Sequence, residues 1–153
     1  MMRNDRGFSL IELLIVVAII LVIAAIAIPS LVRSKIAANE ASAVEHIRTL
    51  NTIETTFASA YPNCGYASLA DMTAAGFIDD DALAGGTKSG YTYDITPSGG
   101  SASCTASSTP NVTHKITAEP VSSQTGTRYF MSDPSGVIRY RVGASAQPTD
   151  PPI

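Results

Sequence analysis

The chain has 153 residues and a formal net charge of −3, a length that suggests one folded domain plus a separate N-terminal element. The few basic residues are scattered, so the charge pattern gives no indication of nucleic-acid binding. The two cysteines and two histidines lack metal-ligand spacing, and neither a metal nor another cofactor is expected.

The first element is an apolar run without any charged residue, from Leu13 to Val32. As a helix this run would extend about 30 Å, the thickness of the hydrocarbon core of a bilayer. A chain of this length could not surround such a helix with a soluble core. We therefore predict a membrane-spanning helix over residues 8–32.

Two ordinary explanations of this segment leave Glu12 unexplained. A secretory signal peptide would fit the basic start and a cleavage site at Ala25-Ile26-Ala27, but the apolar run continues beyond that site. A plain uncleaved anchor fits the length of the run. In both cases a carboxylate in or near a bilayer costs free energy and has no purpose.

The stretch Gly7-Phe8-Ser9-Leu10-Ile11-Glu12 resembles the processing site of type IV prepilins and type II secretion pseudopilins. The resemblance extends to about Ser34 and includes Pro29, where many members carry a helix-kinking proline. It implies that a prepilin peptidase/methyltransferase cleaves after Gly7, removes residues 1–7 as a leader peptide and methylates Phe8.

The resemblance also implies a role for Glu12. In this family the glutamate pairs with the N-terminal amine of a neighbouring subunit, so the main partner is the chain itself in a homopolymeric fibre. A buried carboxylate is tolerated when it has such a charged partner. Glu12 would then favour assembly and help to set the register of the helices.

Localisation follows from the resemblance, because the basic residues flanking the apolar run are equal in number on its two sides and do not decide the orientation. The family places the N-terminus in the bacterial cytoplasm and the head in the periplasm. The chain would first lie in the lipid bilayer of the inner membrane. An inner-membrane assembly platform would then incorporate it into an extracellular pilus or a periplasmic pseudopilus.

The helix is predicted to continue as an amphipathic segment over residues 33–60, which contain neither glycine nor proline. We expect one helix from about Phe8 to Ala60, bent at Pro29 because proline removes a backbone hydrogen bond. Glu40 and Glu54 interrupt the flank of its apolar stripe. That stripe consists of Ile36, Ala43, Ile47, Leu50, Ile53, Phe57 and Ala60.

The head is predicted over residues 61–142. It begins with a short helix from Ser68 to Ala75, with Ser68 as the N-cap and Gly76 as the terminator. The acidic run Asp79–Asp81 lacks the alternating spacing of a calcium loop and is expected to be solvated.

Alternation of apolar and polar residues predicts an antiparallel sheet of about four strands with one apolar face. Val112, His114, Ile116 and Ala118 are expected to share that face. The predicted strands are 90–96, 112–119, 128–132 and 137–142. With the amphipathic helix as a cover, this gives an α+β fold, a pilin-like ladle.

Two segments are predicted to be irregular. Residues 98–109 are rich in serine, glycine and threonine, which is typical of a mobile surface loop. Residues 143–153 contain Pro148, Pro151 and Pro152 and are expected to form a flexible, exposed tail, because proline cannot donate to a sheet.

An exported head would lie in an oxidising compartment, where Cys64 and Cys104 are expected to form a disulfide; two free buried thiols are the alternative. His46 and His114 are interpreted as structural, since no catalytic constellation accompanies them. Asn111-Val112-Thr113 matches a glycosylation sequon, which is a weak signal.

The leading hypothesis is a structural subunit of a type IV pilus-like fibre. A type II secretion pseudopilin and a minor pilin that acts as a tip binding module are the alternatives. A membrane-anchored enzyme would need a catalytic constellation that the sequence does not display, so the chain is not expected to be an enzyme.

Overall fold

The computed structural model describes residues 8–101, 104 and 109–153. They divide into two compact units, one that ends at Lys35 and one that extends from Ile36 to Ile153. Helix α1, Leu10–Ala60, contributes to both units, so the prediction of one helix ending at Ala60 is confirmed. The predicted leader, residues 1–7, lies outside the described residues.

The first unit is the apolar part of α1, with its side chains exposed. None of the residues in its most apolar 18-residue window is buried, and by length and composition the helix could cross a membrane. A helix is compatible with the hydrocarbon core of a membrane because it satisfies its backbone hydrogen bonds internally. Pro29 lies within this helix.

The second half of α1 buries one stripe of side chains. Their spacing of three and four residues places them on one helix face. Ile36 and Ile53 are half-buried and Ala60 is exposed, whereas the centre of the predicted stripe is confirmed. Unexpectedly, two carboxylates belong to the buried set, which is Glu40, Ala43, Ile47, Leu50, Glu54 and Phe57.

Five antiparallel strands form a single sheet in chain order. The buried apolar stripe of α1 packs on the inner face of this sheet, in a core that includes Leu50, Tyr91, Ile116 and Phe130. The α+β prediction is thereby confirmed. The strands are β1 (Thr87–Lys88), β2 (Tyr91–Ser98), β3 (Thr113–Pro120), β4 (Arg128–Ser132) and β5 (Ile138–Val142).

The sequence predicts four strands and misses β1. This strand is only two residues long and pairs with the start of β2 through Lys88 and Tyr91. The intervening Ser89 and Gly90 both have positive φ, 51° and 74°, as a tight hairpin turn requires. Two residues are too few to show alternation, so the prediction of about four strands is corrected to five.

Two short helices precede the sheet. α2, Leu69–Ala74, begins at the predicted cap Ser68, whose hydroxyl accepts from the Asp71 N–H. α3, Asp81–Ala84, has Asp80 as its N-cap. The acidic run therefore begins a helix, and Asp80 also pairs with Lys88.

At the start of β3 the predicted face is wrong for one residue. Val112 precedes the strand and is 71% exposed, whereas His114, Ile116 and Ala118 are buried as expected. Val112 lies outside the alternation because the backbone of the preceding Asn111 pairs with Gly65 instead.

Half of the predicted mobile loop, 98–109, lies outside the described residues, namely residues 102, 103 and 105–108. Its described ends are ordered differently from that prediction: Ser98 is the last residue of β2. The Ser101 N–H donates to the Thr109 carbonyl at 2.9 Å.

The C-terminal tail also differs from the prediction of a flexible, exposed segment. Ala146 and Asp150 are buried, and Pro152 forms an antiparallel bridge with Arg139 of β5. The prolines are compatible with this arrangement because the tail lies at the edge of the sheet, where a missing donor is tolerated.

Candidate assembly segment and the polar contacts of the folded unit

The predicted processing site is only partly within the described residues. Gly7 lies outside them, and Phe8 is the first described residue, with 87% of its surface exposed. Neither Phe8 nor the following apolar side chains are enclosed by protein. The segment therefore presents a continuous apolar surface, including Leu10, Leu14 and Leu21.

Glu12 lies in the first turn of α1, where its carboxylate has a local partner. The Ser9 backbone N–H donates to Glu12 Oε2 at 2.9 Å. Ser9 directly precedes the helix and Glu12 follows three residues later, which is the spacing of a capping box. A carboxylate at this end of a helix is also stabilised by the helix dipole.

This contact refines the expectation for Glu12. From the sequence, the Glu12 carboxylate is expected to be unsatisfied until it meets the amine of another subunit, an expectation that leaves out the Ser-x-x-Glu spacing. One oxygen of Glu12 is instead hydrogen-bonded within its own chain. The pairing with Phe8 of a neighbouring subunit stays a prediction, as does the role of Pro29.

The predicted disulfide is present. Cys64 and Cys104 are joined with their Cα atoms 5.1 Å apart, and Cys64 is buried. The bridge links the segment that follows α1 to the chain that follows β2. It closes a loop of 40 residues in sequence separation, which restricts the unfolded chain.

Glu40 connects α1 to the start of β4. Its Oε1 accepts from the N–H groups of Thr127 and Arg128 at 3.0 and 3.2 Å, and its Oε2 accepts from Arg128 Nε at 2.6 Å. Burial acts to raise the pKa of Glu40, but the hydrogen bonds from Thr127 and Arg128 outweigh it and hold the pKa below its usual value. The carboxylate is therefore charged and satisfied.

Glu54 is buried in a different environment. Its Oε2 accepts from the Ala67 N–H at 3.1 Å, and its Oε1 has no partner among the described residues. Burial raises the pKa of Glu54 to about 7, against the smaller opposing effect of the Ala67 hydrogen bond. At neutral pH this side chain is close to the midpoint of its titration.

Neither histidine is close to a catalytic constellation in the described residues. The ring of His46 contacts the edge of Tyr93, with centroids 5.7 Å apart, and the ring of His114 contacts Tyr66 at 4.4 Å. Burial lowers the pKa of both histidines. No group of three or more metal-ligating side chains occurs within the described ranges.

Asn111 joins two loops, and the weak sequon signal at this residue is not supported by its contacts in the folded chain. Its Nδ2 donates to the carbonyls of Tyr66 and Ser101 at 2.9 and 3.0 Å. The side chain is 8% exposed. Because both amide hydrogens are used and the group is buried, a glycan cannot be attached there in the folded state.

Residues 2–28 match the family model described as the prokaryotic N-terminal methylation motif. The N-terminal segment carries this motif. The matched residues include the predicted cleavage site, Glu12 and most of the apolar run. The spacing of Gly7, Phe8 and Glu12 is the sequence signal that indicates this motif.

Two curated relatives are similar to this chain. The "Type IV wide pilus major component PilA4" of Thermus thermophilus is 56% identical over 39 residues, 26% of this chain and 30% of that protein. The "Type IV major pilin protein PilA" of Myxococcus xanthus is 44% identical over 56 residues, 37% of this chain and 26% of that protein.

These matches confirm the resemblance to type IV pilins. The chain nevertheless aligns with less than a third of the length of either relative. No solved structure matches it.

Proposed function

We propose that this chain is the structural subunit of a type IV pilus-like fibre, assembled through its N-terminal helix after cleavage between Gly7 and Phe8. The observation that carries the proposal is the methylation motif over residues 2–28, followed by an apolar helix with exposed side chains. Exposed apolar surface of this extent needs lipid or other helices around it.

Assembly would exchange one apolar environment for another. Before assembly, lipid surrounds the helix; in the fibre, the helices of other copies would. Because lipid is about as apolar as leucine side chains, packing and polar pairing must select the second state. Glu12 supplies such a pairing, since its carboxylate can accept from the protonated amine of a processed Phe8 in a neighbouring copy.

The capping contact makes this step compatible with a stable subunit in the membrane. Glu12 Oε2 is bonded to Ser9, so the lone subunit bears only part of the cost of a buried carboxylate. A carboxylate has about four acceptor positions, so the same group can bind an incoming amine without leaving its own helix end. Glu12 would thus set the register between neighbours.

The other partners are those that this life cycle needs. A prepilin peptidase/methyltransferase would cleave after Gly7 and methylate Phe8, and an inner-membrane assembly platform would add subunits to the fibre. The folded unit would lie in the periplasm before assembly and on the surface of the fibre afterwards.

A pilus is favoured over a pseudopilus because both named relatives are major components of type IV pili. A minor pilin at the tip would be rare in sheared fibres, whereas a major subunit would dominate them. Quantifying this chain in sheared fibres tests that distinction.

The decisive experiment is the intact mass and N-terminal sequence of the native protein. We expect the chain to begin with methylated Phe8. A start near Ile28 would indicate secretion by signal peptidase, and an intact Met1 would indicate a simple anchor. Either of these results would contradict the proposal.

Assembly is tested by Glu12→Ala, with Glu45→Ala as the matched control. Glu45 is an exposed glutamate on the same helix, paired with Arg48. We expect Glu12→Ala to abolish fibres while the subunit remains in the membrane, and Glu45→Ala to leave fibre yield close to wild type. Normal fibres from Glu12→Ala would remove the proposed role of this carboxylate.

A further inference from the structure

The two edge strands of the sheet are protected in different ways. β1 has only two residues, one of which is Lys88, and short charged edges resist the addition of another strand. β5 has five residues, Ile138–Val142, and would offer a longer row of backbone groups. Residues 147–153, here named the C-terminal strap, pair with the first part of its outer side, at Ile138–Tyr140.

The strap pairs with β5 through backbone hydrogen bonds. The Tyr140 N–H donates to the Pro151 carbonyl at 3.2 Å, and the Ile153 N–H donates to the Ile138 carbonyl at 3.0 Å. These two bonds flank the antiparallel pair formed by Arg139 and Pro152. The strap therefore occupies the position of a sixth strand over this short length.

At the bridged position, Pro152, the strap has no outward backbone donor to continue the sheet. In an antiparallel pair flanked by its hydrogen bonds, the backbone groups of the two paired residues point away from each other. Position 152 therefore faces outward, and proline has no N–H. The Asp150 N–H is used by the Gln147 carbonyl at 3.0 Å.

Asp150 anchors the strap to β5. Its Oδ1 accepts from Nε and Nη2 of Arg141 at 3.1 and 2.7 Å, and its backbone carbonyl accepts from Arg139 Nη1 at 2.9 Å. The Gln147 N–H donates to Asp150 Oδ2 at 2.6 Å. Hydrogen bonds from an arginine to a carboxylate are among the stronger polar contacts in proteins, because both groups are charged.

We propose that the C-terminal strap closes the β5 edge against strand pairing with a second copy of the chain. An uncovered strand edge is a template for another strand. The strap pairs with the Tyr140 N–H and the Ile138 carbonyl of that edge and presents no outward N–H at Pro152. The role does not depend on the proposed fibre, since it concerns any state in which folded units meet at high concentration.

The anchor is tested with the full-length chain in one detergent. Asp150→Ala is expected to increase hydrogen exchange at the Tyr140 amide at least tenfold and to produce concentration-dependent association in sedimentation. Asp94→Ala is the matched control, because Asp94 is an exposed carboxylate on β2 whose described hydrogen bond is to Thr96 of the same strand. It should change neither quantity.

Pro152→Ala tests the outer side of the strap while leaving Asp150 in place. The variant restores an outward N–H, so we expect the Tyr140 amide to stay protected while association increases. Pro148→Ala is the control, since Pro148 is exposed and lies outside the bridge. α1 is identical in all variants, so association through the helix cancels in these comparisons.

Three results would overturn the proposal. Rapid exchange of the Tyr140 amide in the wild-type chain would show that the strap is not seated. Protection that survives Asp150→Ala would show that Asp150 is not the anchor. If Asp150→Ala exposes the Tyr140 amide but the variant does not associate at high concentration, the strap does not prevent strand pairing. If Asp150→Ala fails to fold, the association of Pro152→Ala decides this point, and an unchanged sedimentation of that variant would overturn the proposal.

Discussion

Helix α1 passes through two units whose side chains meet opposite conditions. In the first unit, leucine, isoleucine and valine side chains are exposed all round the helix; in the second, one stripe is buried and the other face carries threonine, arginine and glutamate. Glu12 is bonded to the end of its own helix, whereas Glu40 is bonded to another element. The first half of the helix thus leaves its apolar side chains uncovered by the described residues, whereas the second half is packed on the sheet.

A leucine pair tests this contrast with the largest expected effect. Leu50→Ala should lower the free energy of unfolding of the second unit by about 4 kcal/mol, because Leu50 is fully buried and its truncation leaves a cavity. Leu14→Ala, in the exposed part of the same helix, should leave it unchanged. All six tyrosines lie between residues 61 and 140 and there is no tryptophan, so the tyrosine bands in near-ultraviolet circular dichroism of the full chain report the second unit alone.

Equal losses of stability in the two leucine variants would contradict the division into an exposed and a packed half. Leu14→Ala is instead expected to affect fibre yield, which can be measured separately after shearing.

The disulfide belongs to the second unit alone. Replacing both Cys64 and Cys104 by serine should lower its free energy of unfolding by about 3 kcal/mol, since the bridge closes a 40-residue separation. Thermal melts with and without reductant check this result. Reductant should lower the melting temperature of the wild type and have no effect on the double variant; a wild type insensitive to reductant would contradict the prediction.

Two glutamates of α1 are expected to differ in their effect on how stability depends on pH. Burial raises the pKa of Glu54 from about 4.5 in the unfolded chain to about 7 in the folded one, so stability is fully present below pH 4.5 and is lost as the pH rises toward 7, by up to about 3 kcal/mol. Glu54→Gln should remove this dependence. Between pH 4 and pH 8, the variant should therefore lose less of its free energy of unfolding than the wild type does. Unfolding in urea at several pH values measures it.

Glu12→Gln is the matched control for the pH series, since the described hydrogen bond of Glu12 is to Ser9. It should retain the slope of the wild type between pH 4.5 and 7. The same slope in Glu54→Gln would show that another group is responsible.

The smallest expected effect comes from a pair of serines that precede helices. Ser68→Ala should lower the free energy of unfolding of the second unit by about 1 kcal/mol, because the Ser68 hydroxyl accepts from the Asp71 N–H at the start of α2. Ser9→Ala, at the start of α1, should leave that value unchanged. A loss in both variants would mean that the start of α1 contributes to the packed unit.

Features that depend on neighbouring residues could be predicted. The apolar run, the Gly-Phe and Glu spacing, the cap at Ser68 and the alternation of β2 are all visible within a few residues. A two-residue strand such as β1 has no period from which it could be predicted, whereas the Ser-x-x-Glu spacing of Ser9 and Glu12 is visible in the sequence. The spacing of the two cysteines does not indicate a disulfide. That prediction depended on the oxidising compartment inferred for an exported head.

Features that depend on distant partners could not be predicted. From the sequence, Glu40 interrupts the flank of the apolar stripe, whereas the fold places Arg128, 88 positions away along the chain, beside it. Asn111 matches a sequon, which is expected on a surface. Its side-chain amide is instead buried and donates to the Tyr66 carbonyl, 45 positions away. The prolines of the tail indicated flexibility, whereas Asp150 and Arg141 hold the strap on β5.

The sequence by itself determined where α1 runs, which part of it is apolar all round, and the position of the methylation motif, because hydrophobic period and short motifs are local properties. Only the tertiary structure decided which polar groups are buried and satisfied, and how the edge of the sheet is closed. A carboxylate, an amide or a proline acquires its effect from the group that faces it, and that group is usually far away along the chain.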